Sequence, residues 1–339
     1  MDAIILVGGQ GLRLRPLTAT RHKSLVPVCN RAAISYLFEW LGRSNIERVV
    51  LALGQQNEDL AEVYPAGRLG GLELVHAVER QRLESGGAIR NSVEVANIDD
   101  RFLVVNGDIY VDFDLRAAID AHAAKEADLT LALATVEDPS AFGVAVLDED
   151  GLVTGFVEKP PRESAPSKLV NAGVWIFERR IADEIPEGAV RVEETLFPSL
   201  VARRRPVLGY VFDGLWEDIG DPGRYLELNL ALAAKRGGCV IDETVETAGT
   251  AVVEHAVIGP GTRIEAGASF RESVAWEDCR VGGGAAVVRS ILADGVTIGE
   301  GATVEGAVVG RGGVVPVRAV VKPGTVIEPG AEYHDEHGR

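Results

Sequence analysis

Apolar residues fill positions 3–7 without a break and stop at glycine, which is how a buried parallel strand reads. After a polar loop, Ile34, Leu37, Phe38 and Leu41 recur at helical spacing, and Gly42 stands where a C-cap would close that helix. Apolar runs at 49–53, 72–75 and 102–105 read as further strands, with helical stretches such as 88–95 between them. This alternation predicts an open α/β sheet with helices on both faces. Ligands of such sheets sit beyond the carboxyl ends of the strands, so the loops after Val7 and Val105 are the places to look for chemistry.

The texture changes after a helix expected around 224–234, with Lys235-Arg236-Gly237-Gly238 as its exit. From about 252 to 331 short apolar–glycine steps replace helical patterns. Ile258 and Ile264 lie six apart, as do Ile298 and Val304. An aliphatic residue at every sixth position predicts a parallel β-helix of hexapeptide repeats, its aliphatic corners inward and its turns eased by glycine. A glycine-rich antiparallel sandwich is the alternative. Ala275-Trp276-Glu277-Asp278 interrupts the period and is assigned to a corner or an irregular coil. The domains expected are therefore 1–236, a linker at 237–251, and a repeat domain at 252–339.

A length of 339 residues, 46% hydrophobic and 25% charged, fits two globular domains. No apolar run approaches the roughly 20 residues that span a bilayer, and no signal-like segment opens the chain, so a cytoplasmic protein without a membrane partner is expected. The net charge of −17 repels phosphate backbones and argues against nucleic acid as a partner. Cys29, Cys239 and Cys279 form no CxxC motif and read as small buried residues.

The first apolar run leads into Gly8-Gly9-Gln10-Gly11, followed by Arg13 and Arg15. Glycines let backbone amides approach phosphate oxygens, and arginines add cationic forks. A Walker A loop would end in Gly-Lys-Ser/Thr, which is absent. A dinucleotide fingerprint would need glycine at Leu14 and a carboxylate before Glu39. A nucleoside triphosphate loop of another class remains, and Lys23 in the same connection can reach back to the phosphates.

Asn106-Gly107-Asp108 ends the run at 102–105, where turn chemistry alone is the competing explanation. Trp216-Glu217-Asp218-Ile219-Gly220 brings a second carboxylate. Two carboxylates from distant strands are what Mg²⁺ uses when it shares its shell with water and phosphates. Asp218 reads equally well as an N-cap for the helix starting near Pro222. Glu158, Lys159 and Asn171 stand at strand ends with groups suited to sugar hydroxyls and a sugar phosphate. No protein nucleophile pattern is present, and His255 reads as a solvated corner residue.

Taken in order, these motifs resemble the nucleotide-sugar pyrophosphorylases, which join a sugar 1-phosphate to an NTP. They look closest to mannose-1-phosphate guanylyltransferases with a C-terminal left-handed β-helix. Gly8-Gly9-Gln10-Gly11-Leu12-Arg13-Leu14-Arg15-Pro16-Leu17-Thr18 follows the signature GGxGTRLxPLT, and Lys23-Ser24-Leu25-Val26-Pro27-Val28 lies in its PKPLxPV element. Glu158-Lys159-Pro160, Asn171-Ala172-Gly173 and Glu193-Glu194-Thr195-Leu196-Phe197-Pro198 occur in the family's order.

The resemblance implies a Rossmann-like mixed sheet as the catalytic domain, a β-helix that joins copies into a homo-oligomer, and Mg²⁺ as cofactor. It implies that Leu6, Gly8, Gly9, Gly11 and Arg13 grip the nucleotide, with Lys23 on the phosphates. Asp108 and Asp218 would hold Mg²⁺, and Glu79, Gln81 and the Gly86-Gly87 turn would lie against the base. Gly143, Glu158, Lys159 and Asn171 would surround the sugar phosphate. GTP with a mannose-1-phosphate-like hexose is the favoured pair, and UTP or dTTP with glucose 1-phosphate is the alternative. A catalytically silent regulatory paralogue would be expected to lose Lys23 or a metal carboxylate, and a bifunctional acyltransferase to carry a better-placed histidine. Leu12, Ser24 and Arg82-Leu83-Glu84-Ser85 depart from the family pattern, which commonly has Thr or Ser, Pro, and Pro-Leu-Gly-Thr there.

Overall fold

The computed structural model describes residues 1–55 and 57–334. The chain divides into two units, Met1–Gly9 with Ile34–Glu217, and Gln10–Ala33 with Asp218–Arg339.

The first unit is a ten-stranded mixed sheet. Its strands are β1 (Asp2–Leu6), β2 (Arg48–Leu53), β3 (Gly67–Leu69), β4 (Leu72–Val78), β5 (Phe102–Asn106), β6 (Leu129–Thr135), β7 (Gly143–Leu147), β8 (Val153–Glu158), β9 (Leu169–Phe177) and β10 (Val207–Val211). The main path runs β8-β7-β9-β5-β1-β2-β4-β3, with β6 paired to β9 and β10 to β6. β1 is parallel to both β2 and β5, so Leu6 lies opposite Ala52 on one side and Asn106 on the other. The loops after Val7 and Asn106 therefore leave the same sheet edge, as the apolar pattern predicts. β9 enters antiparallel beside β5 and makes the sheet mixed.

Burial of large side chains holds this unit together. Phe102 stacks on Phe177 with centroids 5.4 Å apart, and Trp175 meets Phe197 edge-on at 5.2 Å, all four fully buried. Each such side chain contributes on the order of 2–3 kcal/mol by leaving water. The helix predicted from Ile34 is α1 (Ala33–Arg43), and it continues through Gly42. Asn45 adopts the left-handed conformation instead, with φ 62°, while Ile46 N–H donates to Leu41. Asparagine tolerates that conformation, so the stop moves three residues beyond the glycine. α2 (Glu84–Val95) begins four residues before the predicted stretch and takes Gly86 and Gly87 into its first turns. Among the described residues no helix is long and apolar enough to cross a membrane.

In the second unit, α3 (Pro222–Ala234) precedes a three-sided parallel β-helix. Val240, Val257, Val274, Ile291 and Val308 pair in succession, so each coil takes seventeen residues, and the step to Val326 takes eighteen. The buried corners explain the count: Ile258 to Ile264 and Ile264 to Phe270 are six-residue steps, but Phe270 to Ala275 is five. The hexapeptide period thus holds on two sides and is shortened on the third. The shortened step turns at His255, Glu272, Arg289 and Gly306, all with φ near 50° and spaced by seventeen. His255 is an exposed corner, in line with its sequence reading. Asp278, inside the interrupted stretch, is likewise a corner with φ 56°, equivalent to Gly261 and Gly295. All three cysteines are free thiols, Cys29 and Cys279 buried and Cys239 half-buried. Burial pushes the Cys279 thiol up to about 12 and the Cys29 thiol to about 11.

Candidate active site

In the first unit a cavity of about 220 Å³ opens at the carboxyl ends of β1, β4 and β5. Leu6, Gly8 and Gly9 form one wall, Asn106 and Asp108 another, and Glu79 closes the far side. The sheet dictates this grouping, because the three strands are consecutive neighbours of β1 or of β2. Gly107 is needed for the approach of β5 to β1. A Cβ there would lie 2.4 Å from Val7 Cγ1 and 2.9 Å from the Leu6 carbonyl. Its φ is not in the left-handed range, so close packing rather than turn conformation selects glycine in the Asn-Gly-Asp motif.

Glu79 is buried at the end of β4, and its Oε2 accepts from Leu83 N–H at 3.0 Å. Burial raises its pKa against the lowering effect of that hydrogen bond, and nearby Glu84 raises it further. Glu84 starts α2 with φ 56° and pairs with Arg82 at 2.8 Å. Ser85 accepts from Val192 N–H at 3.1 Å and donates to Glu193 Oε2 at 2.6 Å, which brings Glu193 and Arg191 into the same cavity wall. Gly86 and Gly87 face the other way: added Cβ atoms would meet Val190 at 2.8 Å and the Gly188 carbonyl at 2.4 Å. Neither glycine lines the cavity, and neither does Gln81, which is exposed.

Burial also raises the pKa of Glu193 above the ordinary 4.5, with the Ser85 hydroxyl opposing it. A carboxyl with a raised folded pKa stabilises the fold fully below its unfolded value, and that contribution is lost as pH rises through the folded value. Glu193→Gln should therefore match the wild type in thermal stability near pH 4. It should become progressively more stable than the wild type as pH rises to 8. A constant offset in melting temperature across that range would refute burial as the cause of the shift.

A second cluster of this unit forms at β7, β8 and β9. Gly143 pairs with Glu158 across the strands, and a Cβ on Gly143 would fall 2.8 Å from Glu158 Oε2. Glu158 Oε1 meets Lys159 Nζ at 3.1 Å and Arg191 Nη2 at 3.3 Å. Asn171 Oδ1 accepts from Trp175 Nε1 at 2.7 Å and from Gly173 N at 3.1 Å. An indole N–H only donates, so the amide oxygen must face it and Nδ2 is the group Asn171 can offer a ligand. Trp216 Nε1 donates to the Ala172 carbonyl at 2.8 Å, tying the strand Leu215–Asp218 to this cluster.

In the second unit, Gly11 has φ 62°, and a Cβ there would press on Lys23 and Thr18 at 3.1 Å. Thr18 Oγ1 donates to the Gly11 carbonyl at 2.7 Å and closes the loop over a short turn, Leu12–Leu14, with Leu12 59% exposed. Lys23 is only 8% exposed and begins another short turn, Lys23–Leu25, whose Ser24 N–H donates to His22 Nδ1. Its Nζ lies 4.0 Å from Asp218 Oδ1, while Arg224 Nη1 lies 3.5 Å from Asp218 Oδ2. Arg13 reaches the same place. A Cβ on Gly220 would be 2.8 Å from Asp218 Oδ1 and 3.1 Å from Arg13 Nη2. Asp218 does not cap α3. Asp221 does, accepting from Arg224 N–H at 3.0 Å.

Of the residues read from sequence, Gly8, Gly9, Glu79 and Asp108 share the first-unit cavity. Gly143, Glu158 and Lys159 meet at the second cluster of that unit, and Arg13, Lys23 and Asp218 converge in the second unit. Sequence reading missed Ser85, Arg191, Glu193 as a cavity residue, and Arg224. The acidic start of the 193–198 motif was visible, but nothing local ties it to Ser85.

A nucleotidyl transferase family model matches residues 2–235, and a GMPPB C-terminal domain model matches residues 235–332. The chain is 33% identical over 289 residues to a mannose-1-phosphate guanylyltransferase of Mycobacterium tuberculosis, covering 80% of each chain. A putative mannose-1-phosphate guanyltransferase of Sulfolobus acidocaldarius is 30% identical over 81% of this chain and 75% of its own. A UTP–glucose-1-phosphate uridylyltransferase of Synechocystis is 29% identical over 86% of this chain and 87% of its own. With the matched motifs placed at the carboxyl edge of its sheet and in the loop beside α3, this chain belongs to the nucleotidyl transferase family, among the sugar-1-phosphate nucleotidylyltransferases.

Proposed function

We propose that the chain transfers a guanylyl group from GTP to mannose 1-phosphate or a close hexose analogue. The carboxylate wall of the first-unit cavity carries this reading. Guanine presents N1–H and N2–H donors side by side, which a carboxylate such as Glu79 accepts as a pair. Uracil and thymine present one N–H between two carbonyl oxygens, which a carboxylate repels. Gly8, Gly9 and Gly11 supply backbone amides to the phosphates, while Arg13 and Lys23 supply charge. Gly143, Glu158, Lys159 and Asn171 take the sugar phosphate.

A sugar-phosphate oxygen attacks the α-phosphorus in line and pyrophosphate leaves, so no protein nucleophile is required. Asp108 and Asp218 are the two carboxylates proposed for Mg²⁺. Two is the number that suits a cation keeping water and phosphates in its shell. No cluster of three or more such ligands exists among the described residues, as a closed protein cage would need. When bound, Mg²⁺ neutralises charge on the phosphates. A homo-oligomer joined through the β-helix belongs to the same reading, and light scattering at assay concentration tests it.

Pyrophosphate release across a matrix of NTPs and sugar 1-phosphates decides the substrate pair. GTP with mannose 1-phosphate should be fastest. A faster UTP or dTTP pair overturns the base assignment, and no turnover from folded protein overturns the enzyme reading. Gly9→Ala separates ligand from fold: a Cβ there meets nothing within 4 Å, so stability should stay within about 0.5 kcal/mol. Its KM for the NTP should rise about tenfold if phosphate approaches the backbone, since one such contact is worth about 1.4 kcal/mol. An unchanged KM would remove Gly9 from the phosphate grip.

A further inference from the structure

The segment bearing Lys23 is fastened to the β-helix by contacts more than two hundred residues apart in sequence. Arg21 Nη2 donates to Asp294 Oδ2 at 2.8 Å, and its guanidinium carbon lies 5.0 Å from the centre of the Trp276 ring. Trp276 Nε1 donates to the Tyr225 hydroxyl at 2.7 Å, and that hydroxyl donates to the Pro27 carbonyl. Farther along, Cys29 N–H donates to Asn229 Oδ1 and Asn30 Nδ2 to the Ile258 carbonyl, each at 2.8 Å. The stretch 21–30 is thus pinned at both ends to α3 and to three successive coils.

Arg21 and Asp294 depend on each other. Asp294 Oδ1 is buried and accepts no hydrogen bond from any described residue, so Arg21 is the cation that compensates this carboxylate. A planar guanidinium held by a carboxylate and an indole face has one orientation, which a lysine at the same place would not have. Lys23 itself has a flexible stem, its Nζ 4.0 Å from Asp218 Oδ1, and its backbone stands two residues from Arg21.

We propose that Arg21, clamped by Asp294 and Trp276, is a positioning residue that holds Lys23 toward the nucleotide's phosphates, so that the β-helix takes part in nucleotide binding. The proposal rests on the phosphate role of Lys23 in the proposed reaction. Positioning acts through its target, so its loss disappears once the target is gone.

The test is a double-mutant cycle on the dissociation constant of GTP with Mg²⁺ by calorimetry, with inorganic tripolyphosphate as a base-free control. Asp294→Asn should weaken binding about tenfold, the size of a typical coupling between linked residues. In the Lys23→Ala background the same substitution should change binding less than about twofold. Equal losses in both backgrounds would mark a merely structural carboxylate and overturn the proposal, as would no loss with Lys23 present. A Lys23→Ala protein that binds both ligands like the wild type removes the phosphate role of Lys23 and this proposal with it. Should Asp294→Asn not fold, Trp276→Phe takes its place, with the same non-additive pattern expected and the same outcomes overturning it.

Discussion

Asp108→Asn should lower kcat/KM by about a thousandfold or more while leaving the melting temperature nearly unchanged. Asparagine keeps the shape of the side chain and removes its charge, and a carboxylate that serves a metal is needed for that charge. Asp108 is half-buried at the cavity wall beyond β5, beside rather than within the apolar cluster that includes Ile4, Phe102 and Val104. The measurement is steady-state pyrophosphate release over a Mg²⁺ titration, together with a thermal scan. The variant should need more Mg²⁺ for whatever turnover remains. Near-normal activity at ordinary Mg²⁺ would sink the metal assignment for this residue.

Gly107→Ala should destabilise the first unit by about 2–3 kcal/mol, the upper part of the range for forcing an atom into a filled core. The added methyl would enter the space of Val7 Cγ1, the Leu6 carbonyl and Ile5 Cγ2, at 2.4, 2.9 and 3.1 Å. A carbonyl of the central strand cannot rotate away as a surface side chain can, so β5 must shift. Activity should fall with stability, because the next residue is Asp108. Denaturant midpoints give the stability, and assays well below the melting temperature give the activity. A variant as stable as the wild type would contradict the close approach of β1 and β5. Gly9→Ala is the counterpart, since it shares the cavity without filling occupied space.

The fold was legible wherever local pattern carries the information. Strands 49–53 and 102–105, the helix closing near Ala234 and the aliphatic corners Ile258, Ile264, Ile298 and Val304 are all found as their spacing predicts. Helix ends were less legible. Gly42 and Asn45 are both plausible stops, and only the packed structure selects the asparagine. The seventeen-residue coil was hidden because its short side displaces the period by one at each turn, which a search for sixes registers as an interruption.

For the candidate site, the residues proposed to meet phosphate were readable as candidates, and several of those that shape the cavity were not. Glycine loops, Lys23 and strand-terminal carboxylates become candidates by residue type next to an apolar run. Ser85 and Glu193 are joined across 108 positions by one hydrogen bond, and nothing local to either segment ties it to the other. Gly86 and Gly87 have a packing role that the family resemblance does not state. They let α2 approach the 185–190 segment, with Gly86 N–H donating to the Val190 carbonyl at 2.8 Å.

By itself, then, the order of motifs determined the family and the class of reaction, because phosphate and sugar recognition needs particular residue types at strand ends. The apolar periods likewise determined an α/β sheet followed by a parallel β-helix, since burial repeats with the geometry of each element. The structure moved the cap of α3 from Asp218 to Asp221, and only the tertiary structure gave Gly107 a steric role. It also joined the Lys23 segment to the β-helix through Arg21 and Asp294. The last two outcomes depend on which atoms meet across a hundred residues or more, and no local period records such meetings.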